Sequence, residues 1–247
     1  MISILYGVLG GIVATVSFIY LKVYIIPKDF MYIFGIAIAL SLIDIRFICF
    51  SYGGSLLVLS NLIFKYPQIN TYEIMMLVAV LHMIESLLIL LNGEAQTSVG
   101  YFNVNNKIAS GTAFNRFWPI PFVIFIGDVM IRPITLIAIL SYNDFTLSNY
   151  PKGKTIRTSL ILFIYSGLLL LITILCNNKF IPPIFALVGH ETIIIYNKYR
   201  EKYRQSLFMK PLDGLKVMDV EANSIAYEVG IRQGDIILKI NDLIIRK

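Results

Sequence analysis

Long apolar runs, each interrupted by one or two polar residues, fill the first 195 positions, and a shorter alternating pattern with turn residues takes over near the end. A helix that spans a bilayer needs about 20 mostly apolar residues. Six stretches meet or approach that length: residues 1–23, 30–50, 72–91, 119–140, 158–176 and a weaker one at 180–196. The first has neither a basic leader nor a small-residue cleavage site, so it reads as a retained anchor rather than a signal peptide. Residues 51–64 are also apolar, but about 14 residues are short for a span. They read as an interfacial or re-entrant piece, with a seventh span as the alternative. The expected fold class is therefore an all-α polytopic membrane bundle of about six transmembrane helices over residues 1–196. A basic juxtamembrane linker at 197–211 and a small α+β segment at 212–247 follow it.

Composition agrees with this pattern. The chain is 57% hydrophobic and 15% charged, where soluble domains carry about 25% charged residues. A soluble enzyme, a disordered regulator and a fibrous protein are thereby excluded. Charge is concentrated at the end: 17 charged residues lie from Tyr196 onward and 19 in the 195 residues before it. The net charge of +6 has its best use at membrane–water boundaries, not on nucleic acid. With both termini inside, the cytoplasmic flanks hold Lys65, Lys152, Lys154, Arg157, Lys198, Arg200, Lys202 and Arg204. The opposite side holds Lys22, Lys28, Lys107, Arg116 and Lys179. That bias favours a cytoplasmic tail in a multi-pass plasma-membrane protein.

Ionisable residues inside apolar spans are functional candidates by default. Asp44 and Arg46 are two apart and do not face each other on a helix, which leaves Asp44 in need of a partner. His82 and Glu85, three apart in the third span, share a face and are placed to hydrogen-bond. Asp128 and Arg132, four apart in the fourth, form an internal ion pair beside the kink at Pro133. His190 and Glu191 are adjacent and point to different faces. A proton or ion pathway is the functional reading, and pairing that locks helix register is the simpler one. Trp118, the one tryptophan, sits where an interfacial anchor belongs, with Pro119 suited to the first turn of the fourth helix. Residues 100–108 carry a short strand–turn pattern.

No catalytic constellation emerges. An intramembrane metalloprotease needs His-Glu-x-x-His on a helix, but His190-Glu191 is followed by Thr192, Ile193 and then Ile194 at the second ligand position. Pro211-Leu212-Asp213-Gly214 resembles the third-ligand motif of those enzymes but follows the last span. There is no Gly-x-Ser-x-Gly elbow and no phosphate-binding glycine loop. The two cysteines, Cys49 and Cys176, read as free thiols in apolar surroundings. No catalytic residue, metal site or cofactor is expected.

The tail alternates over residues 215–220 as a strand does. Ser224 suits the N-cap of a short helix and Gly230 its C-cap. Gly234-Asp235 turns into a buried strand at 236–240, and Asn241-Asp242 makes a second turn. Gly214-Leu215-Lys216-Val217, Ser224 with Ala226, Val229-Gly230-Ile231, Gly234-Asp235-Ile236-Ile237 and Ile240-Asn241, in that order, resemble a bacterial PDZ domain. The resemblance implies a module that binds peptides by strand addition, with Leu215, Val217 and Ile231 as peptide-binding positions. PDZ domains continue past this turn with a helix and closing strands. The expected segment is therefore a truncated domain, belonging to a longer protein, completed by a partner or docked on the membrane region.

Further up the chain, residues 75–85 with Asn92-Gly93, and residues 110–121 including Asn115-Arg116-Phe117-Trp118-Pro119, resemble the MinJ-like polytopic membrane PDZ proteins of Firmicutes. What that resemblance implies is a non-enzymatic integral membrane scaffold for division-site selection. Its cytoplasmic partners would be a division-site ATPase or a polar coiled-coil scaffold, alongside the lipid bilayer. The alternatives are a regulatory or degenerate relative of a PDZ-containing membrane protease, and a small-solute transporter.

Overall fold

The computed structural model describes residues 2–104, 107–126, 132–204, 207, 213–217 and 219–245. Among them the order is α1 (Ile2–Tyr20), α2 (Pro27–Ser41), a 3-10 turn (Ile45–Ile48), α3 (Phe50–Phe64), α4 (Thr71–Asn92), β1 (Ser98–Val104), β2 (Lys107–Ile126), β3 (Arg132–Thr146), α5 (Pro151–Leu175), α6 (Ile181–Tyr203), β4 (Leu215–Lys216), α7 (Ile225–Glu228), β5 (Ile236–Ile237), β6 (Lys239–Ile240) and β7 (Leu243–Ile244). Two compact units form. One gathers Met1–Gly93, Arg116–Tyr142 and Thr155–Tyr196, and the other Glu94–Asn115, Asn143–Lys154 and Asn197–Lys247.

Three described helices, α1, α4 and α5, are long and apolar enough to cross a membrane, with mean hydropathies of 2.1, 2.5 and 2.4. The sequence reading of six spans needs correcting at three places: the expected sixth at 180–196 is helical, as part of α6, but too polar to count with the three, and the second and fourth are not single helices. The expected second span at 30–50 is broken: α2 ends at Ser41, and Asp44 starts a new turn by accepting the Arg46 N–H at 3.1 Å. A short acidic side chain that can bond nearby backbone N–H groups favours such a start over an unbroken helix. Residues 50–64 then form a separate helix of 15 residues.

The expected fourth span at 119–140 is not a helix, and the fold is not all-α. Its two flanks lie in β2 and β3, and the order of the three-stranded sheet is β1-β2-β3. The burial along β2 has period two: Phe114, Arg116, Trp118, Ile120, Phe122 and Ile124 are buried while the residues between them are half-buried or exposed. That alternation is the mark of a strand, and an apolar run by itself does not separate strand from helix. The strand–turn pattern at 100–108 coincides with β1, whose antiparallel register sets Ser98 opposite Ala113 and Val104 opposite Lys107.

A strand among apolar helices must satisfy its backbone. On one edge of β2, positions 119 and 121 are prolines, which carry no N–H to satisfy. Two residues on, the Val123 N–H donates to the Thr15 hydroxyl of α1 at 2.9 Å. The helix comes that close because Gly7 and Gly11 face the strand. A Cβ on Gly7 would lie 2.0 Å from the Pro119 carbonyl oxygen, and one on Gly11 would lie 1.9 Å from that of Pro121. Ala14 continues the same small, buried stripe.

In the other unit, Glu201 near the end of α6 is fully buried as a side chain and gathers the turn after β3. Its carboxylate accepts from the Leu147 N–H at 2.9 Å, the Ser148 N–H at 3.0 Å and the Ser148 hydroxyl at 2.9 Å. The ammonium of Lys154, also buried, lies 3.7 Å from Glu201 and 2.8 Å from Asp144. Burial opposes ionisation of Glu201, but the Leu147 N–H, the Lys154 charge and the Ser148 donors outweigh it and hold the carboxyl below its ordinary value. Residues 197–203, read from sequence as linker, are the last turns of α6.

The tail strands are two residues each. Leu215 pairs with Ile237 and Lys216 with Ile236, while Lys239 pairs with Ile244 and Ile240 with Leu243. Asn241 and Asp242 have φ of 46° and 64°, as a two-residue hairpin turn with both central residues left-handed requires. Ser224 caps α7 by accepting the Tyr227 N–H at 3.2 Å. Gly230 and Gly234 follow at φ of +90° and +98°. The segment read as one buried strand at 236–240 is instead two short strands, exposed but for the half-buried Ile237, because no apolar layer covers them among the described residues.

Two outcomes are expected. Gly11→Val should lower the thermal unfolding midpoint of the detergent-solubilised chain strongly, since overpacking costs about 1–3 kcal/mol and here meets backbone. Gly35→Ala, where open space surrounds the glycine, should leave it unchanged. Equal midpoints for the two would contradict the helix–strand contact. A carboxyl depressed on folding contributes stability that is complete above its ordinary value of 4.5 and is lost as pH falls through the lowered folded value. Limited proteolysis between Asp144 and Lys154 should therefore be slow at neutral pH and rise in acid. Glu201→Gln should be cleaved fast at both, and a variant as resistant as the parent at neutral pH would refute this role for Glu201.

Candidate functional site

The most concentrated chemistry lies in the helical unit, where side chains from α4, α6 and the residue preceding α3 converge. Cys49 is the N-cap of α3; its extended backbone and the sulfur accepting the Ser51 N–H at 3.3 Å fix the side chain. From there Sγ lies 3.1 Å from His82 Nε2 and 3.5 Å from His190 Nε2. These are the two histidines of the chain, one on α4 and one on α6. The His82 Nδ1–H donates to the Val78 carbonyl at 2.7 Å. A carbonyl only accepts, so Nδ1 carries the proton and Nε2 offers its lone pair toward sulfur.

Aromatic rings fix both imidazoles. Tyr165 meets His82 edge-on at 5.7 Å between ring centres, Tyr52 meets His190 at 5.2 Å, and the imidazoles meet each other at 5.2 Å. Beneath them a buried knot ties three helices. The Ser51 and Tyr165 hydroxyls both donate to the Ala186 carbonyl at 2.8 Å and lie 3.0 Å apart. Gly189 leaves the room that the Tyr165 ring occupies, since a Cβ there would lie 2.9 Å from ring carbon Cε2.

Beside this cluster lies an ion pair. Arg46 donates to Glu191 at 3.0 Å and also lies 3.2 Å from the Asp44 carboxylate. The Tyr52 hydroxyl donates to the other Glu191 oxygen. Adjacent residues of α6 thus serve two purposes: His190 faces the thiol and Glu191 takes the guanidinium.

The sequence-based pairs fare differently. His82 does not bond Glu85: its two nitrogens are turned to Val78 and Cys49. Glu85 lies one turn along α4 from His82, on the face that carries it. Asp128 lies outside the described residues, and Arg132 is exposed at the start of β3, so the helical basis of that pair is gone. Asp44, expected to lack a partner, has Arg46. Trp118 is not an interfacial anchor but fully buried. Its indole N–H donates to Asn92 at 3.2 Å, and the Arg116 guanidinium donates to the same oxygen.

Cys49, Tyr52 and Tyr165 were not expected as site residues. The converging atoms come from residues 33 and 141 apart along the chain, so no spacing motif announces them. The one signal available was that both histidines and both cysteines lie in apolar stretches.

In the tail, Leu215 is in β4 and Val217 follows two residues on, which puts their side chains on one face. The Val217 backbone is held by Asp235 and Gly234, donating to one at 2.8 Å and accepting from the other at 2.9 Å. Ile231 stands just past α7, its N–H donating to the Ala226 carbonyl at 2.9 Å. No protein-family model, curated protein or solved structure matches the chain.

A double-mutant cycle with Arg46→Met and Glu191→Gln should return a coupling above about 0.5 kcal/mol, as contacting charged residues do. Strict additivity of the two changes in thermal or denaturant unfolding would exclude the pair.

Proposed function

We propose that the protein is an integral membrane scaffold whose cytoplasmic tail recruits other proteins, with the helical unit serving to place it in the bilayer. What carries this reading is the apolar surface on the tail. Leu243 is 76% exposed, Val229 69% and Ile225 80%, and Leu215, Leu238, Ile240 and Ile244 are each more than half exposed. Ile240 and Leu243 are cross-strand neighbours, and exposed apolar side chains that adjoin on a water-facing segment are where another protein can sit. Short strands with turn-fixed register are also the kind of element to which an extended peptide adds.

Support for the orientation comes from Lys198, Arg200, Lys202 and Arg204, which follow the last apolar run as cytoplasmic flanks do. Support for a PDZ-like module comes from the turn glycines, the Ser224 cap and the Asn241–Asp242 hairpin, which occur in the order of the resemblance. Leu215, Val217 and Ile231 are its peptide-binding positions under this reading, and a division-site ATPase or a polar coiled-coil protein is the kind of partner it implies.

The test is capture from cross-linked membranes. The full chain should recover cytoplasmic division-site proteins. A chain ending at Arg204, and the full chain carrying Leu243→Asp with Ile244→Lys, should recover about a tenth or less. Equal recovery by all three would sink tail-mediated recruitment.

A further inference from the structure

We propose that Cys49, His82 and His190 form a binding site for a zinc ion. The first support is metric. A tetrahedral zinc with bonds of ~2.3 Å to sulfur and ~2.0 Å to nitrogen holds those atoms about 3.5 Å apart. The observed sulfur–nitrogen separations are 3.1 and 3.5 Å, and all three ligand atoms lie within 4.8 Å of one another. One thiol and two imidazoles are also the ligand types that zinc accepts.

The second support is protonation. A metal-binding imidazole needs one nitrogen bare, and the commonest way to secure this is a hydrogen bond from the other nitrogen to a carbonyl. His82 has that bond through Val78, so its Nε2 lone pair points at the site before any ion arrives. His190 also directs Nε2 to the sulfur, and its buried Nδ1 has no hydrogen-bond partner among the described residues.

Rigidity is the third. Each ligand is held by something other than the ion: Cys49 as a helix cap, His82 by Val78 and Tyr165, and His190 by Tyr52 and the turn that carries the Glu191–Arg46 pair. A neutral set of three side chains among buried helices needs no metal for charge balance. Binding proceeds with loss of one proton: the Cys49 S–H bond breaks, the thiolate bonds to zinc and the proton leaves to solvent. The bound centre then carries one net positive charge, and Glu85 lies one turn along the same face of α4. Three protein ligands leave the fourth position for water. The site is independent of the tail and of the recruitment reading.

The full chain, purified in detergent and stripped with chelator, should take up one equivalent of Zn²⁺ with a rise in its unfolding temperature. Cobalt(II), added in place of zinc, should give the intense visible bands of a tetrahedral ion and a thiolate-to-metal band in the near ultraviolet. Cys49→Ser, which keeps a helix-capping oxygen, should abolish the thiolate band and weaken zinc binding about 100-fold or more, beyond the 10–100-fold typical of outer partners. His190→Asn should weaken it similarly, and Cys176→Ser should leave band and affinity unchanged. Circular dichroism on each variant confirms that it is folded. Absence of stoichiometric binding to the parent chain, a weak octahedral cobalt spectrum, or a thiolate band that survives Cys49→Ser would each overturn the site.

Discussion

Polar side chains set among apolar helices find their partners within the protein, and the helical unit is organised around that constraint. Arg46 is met by Glu191 and Asp44, Ser51 and Tyr165 share the Ala186 carbonyl, and Cys49 is met by both histidines. Every one of these contacts joins different elements or fixes the start of one. Helix packing alone is poorly directional, because apolar surfaces slide over one another at little cost. Hydrogen bonds and ion pairs are what fix a particular register, and here they define how the start of α3 meets α4, α5 and α6.

The same rule explains the strand in the helical unit. A strand placed against a helix exposes a row of backbone groups that the helix cannot pair, since its own backbone is satisfied internally. Pro119 and Pro121 remove two donors from that row and Thr15 receives a third. Gly7 and Gly11 then allow the helix to lie against the strand carbonyls. Sequence shows the pieces of this device, a small-residue stripe and alternating prolines, but not that they belong together. Read alone, the prolines fit the opening of a helix and the apolar run after them fits a span. Burial with period two, from Phe114 to Ile124, decides for the strand.

What sequence did disclose were features set by local physics. The bounds of α1 and α4 and the end of α5 follow from apolar length, though α5 begins at Pro151 and not at the expected 158; the Ser224 cap follows from its hydroxyl, and the Asn241–Asp242 hairpin from two residues that tolerate positive φ. The cluster of Cys49, His82 and His190 was illegible for the opposite reason. Its members lie far apart in the chain, and the local pattern around His190 argued against a metal by putting Ile194 where a second histidine would be. Local spacing finds ligands that share a helix; it is blind to ligands that share only a point in space. Burial of Trp118 was missed similarly, because its partner Asn92 ends a different element.

The helical unit thus combines a polar knot with a place for one soft-ligand cation, while the tail offers apolar surface to a partner. Whether three side chains so distant in sequence meet at one point is read most directly by X-ray absorption at the zinc edge of the loaded full chain. One sulfur near 2.3 Å and two imidazole nitrogens near 2.0 Å, typical zinc bond lengths, are the predicted shell. A shell of oxygen and nitrogen alone, or one with two or more sulfurs, would contradict it.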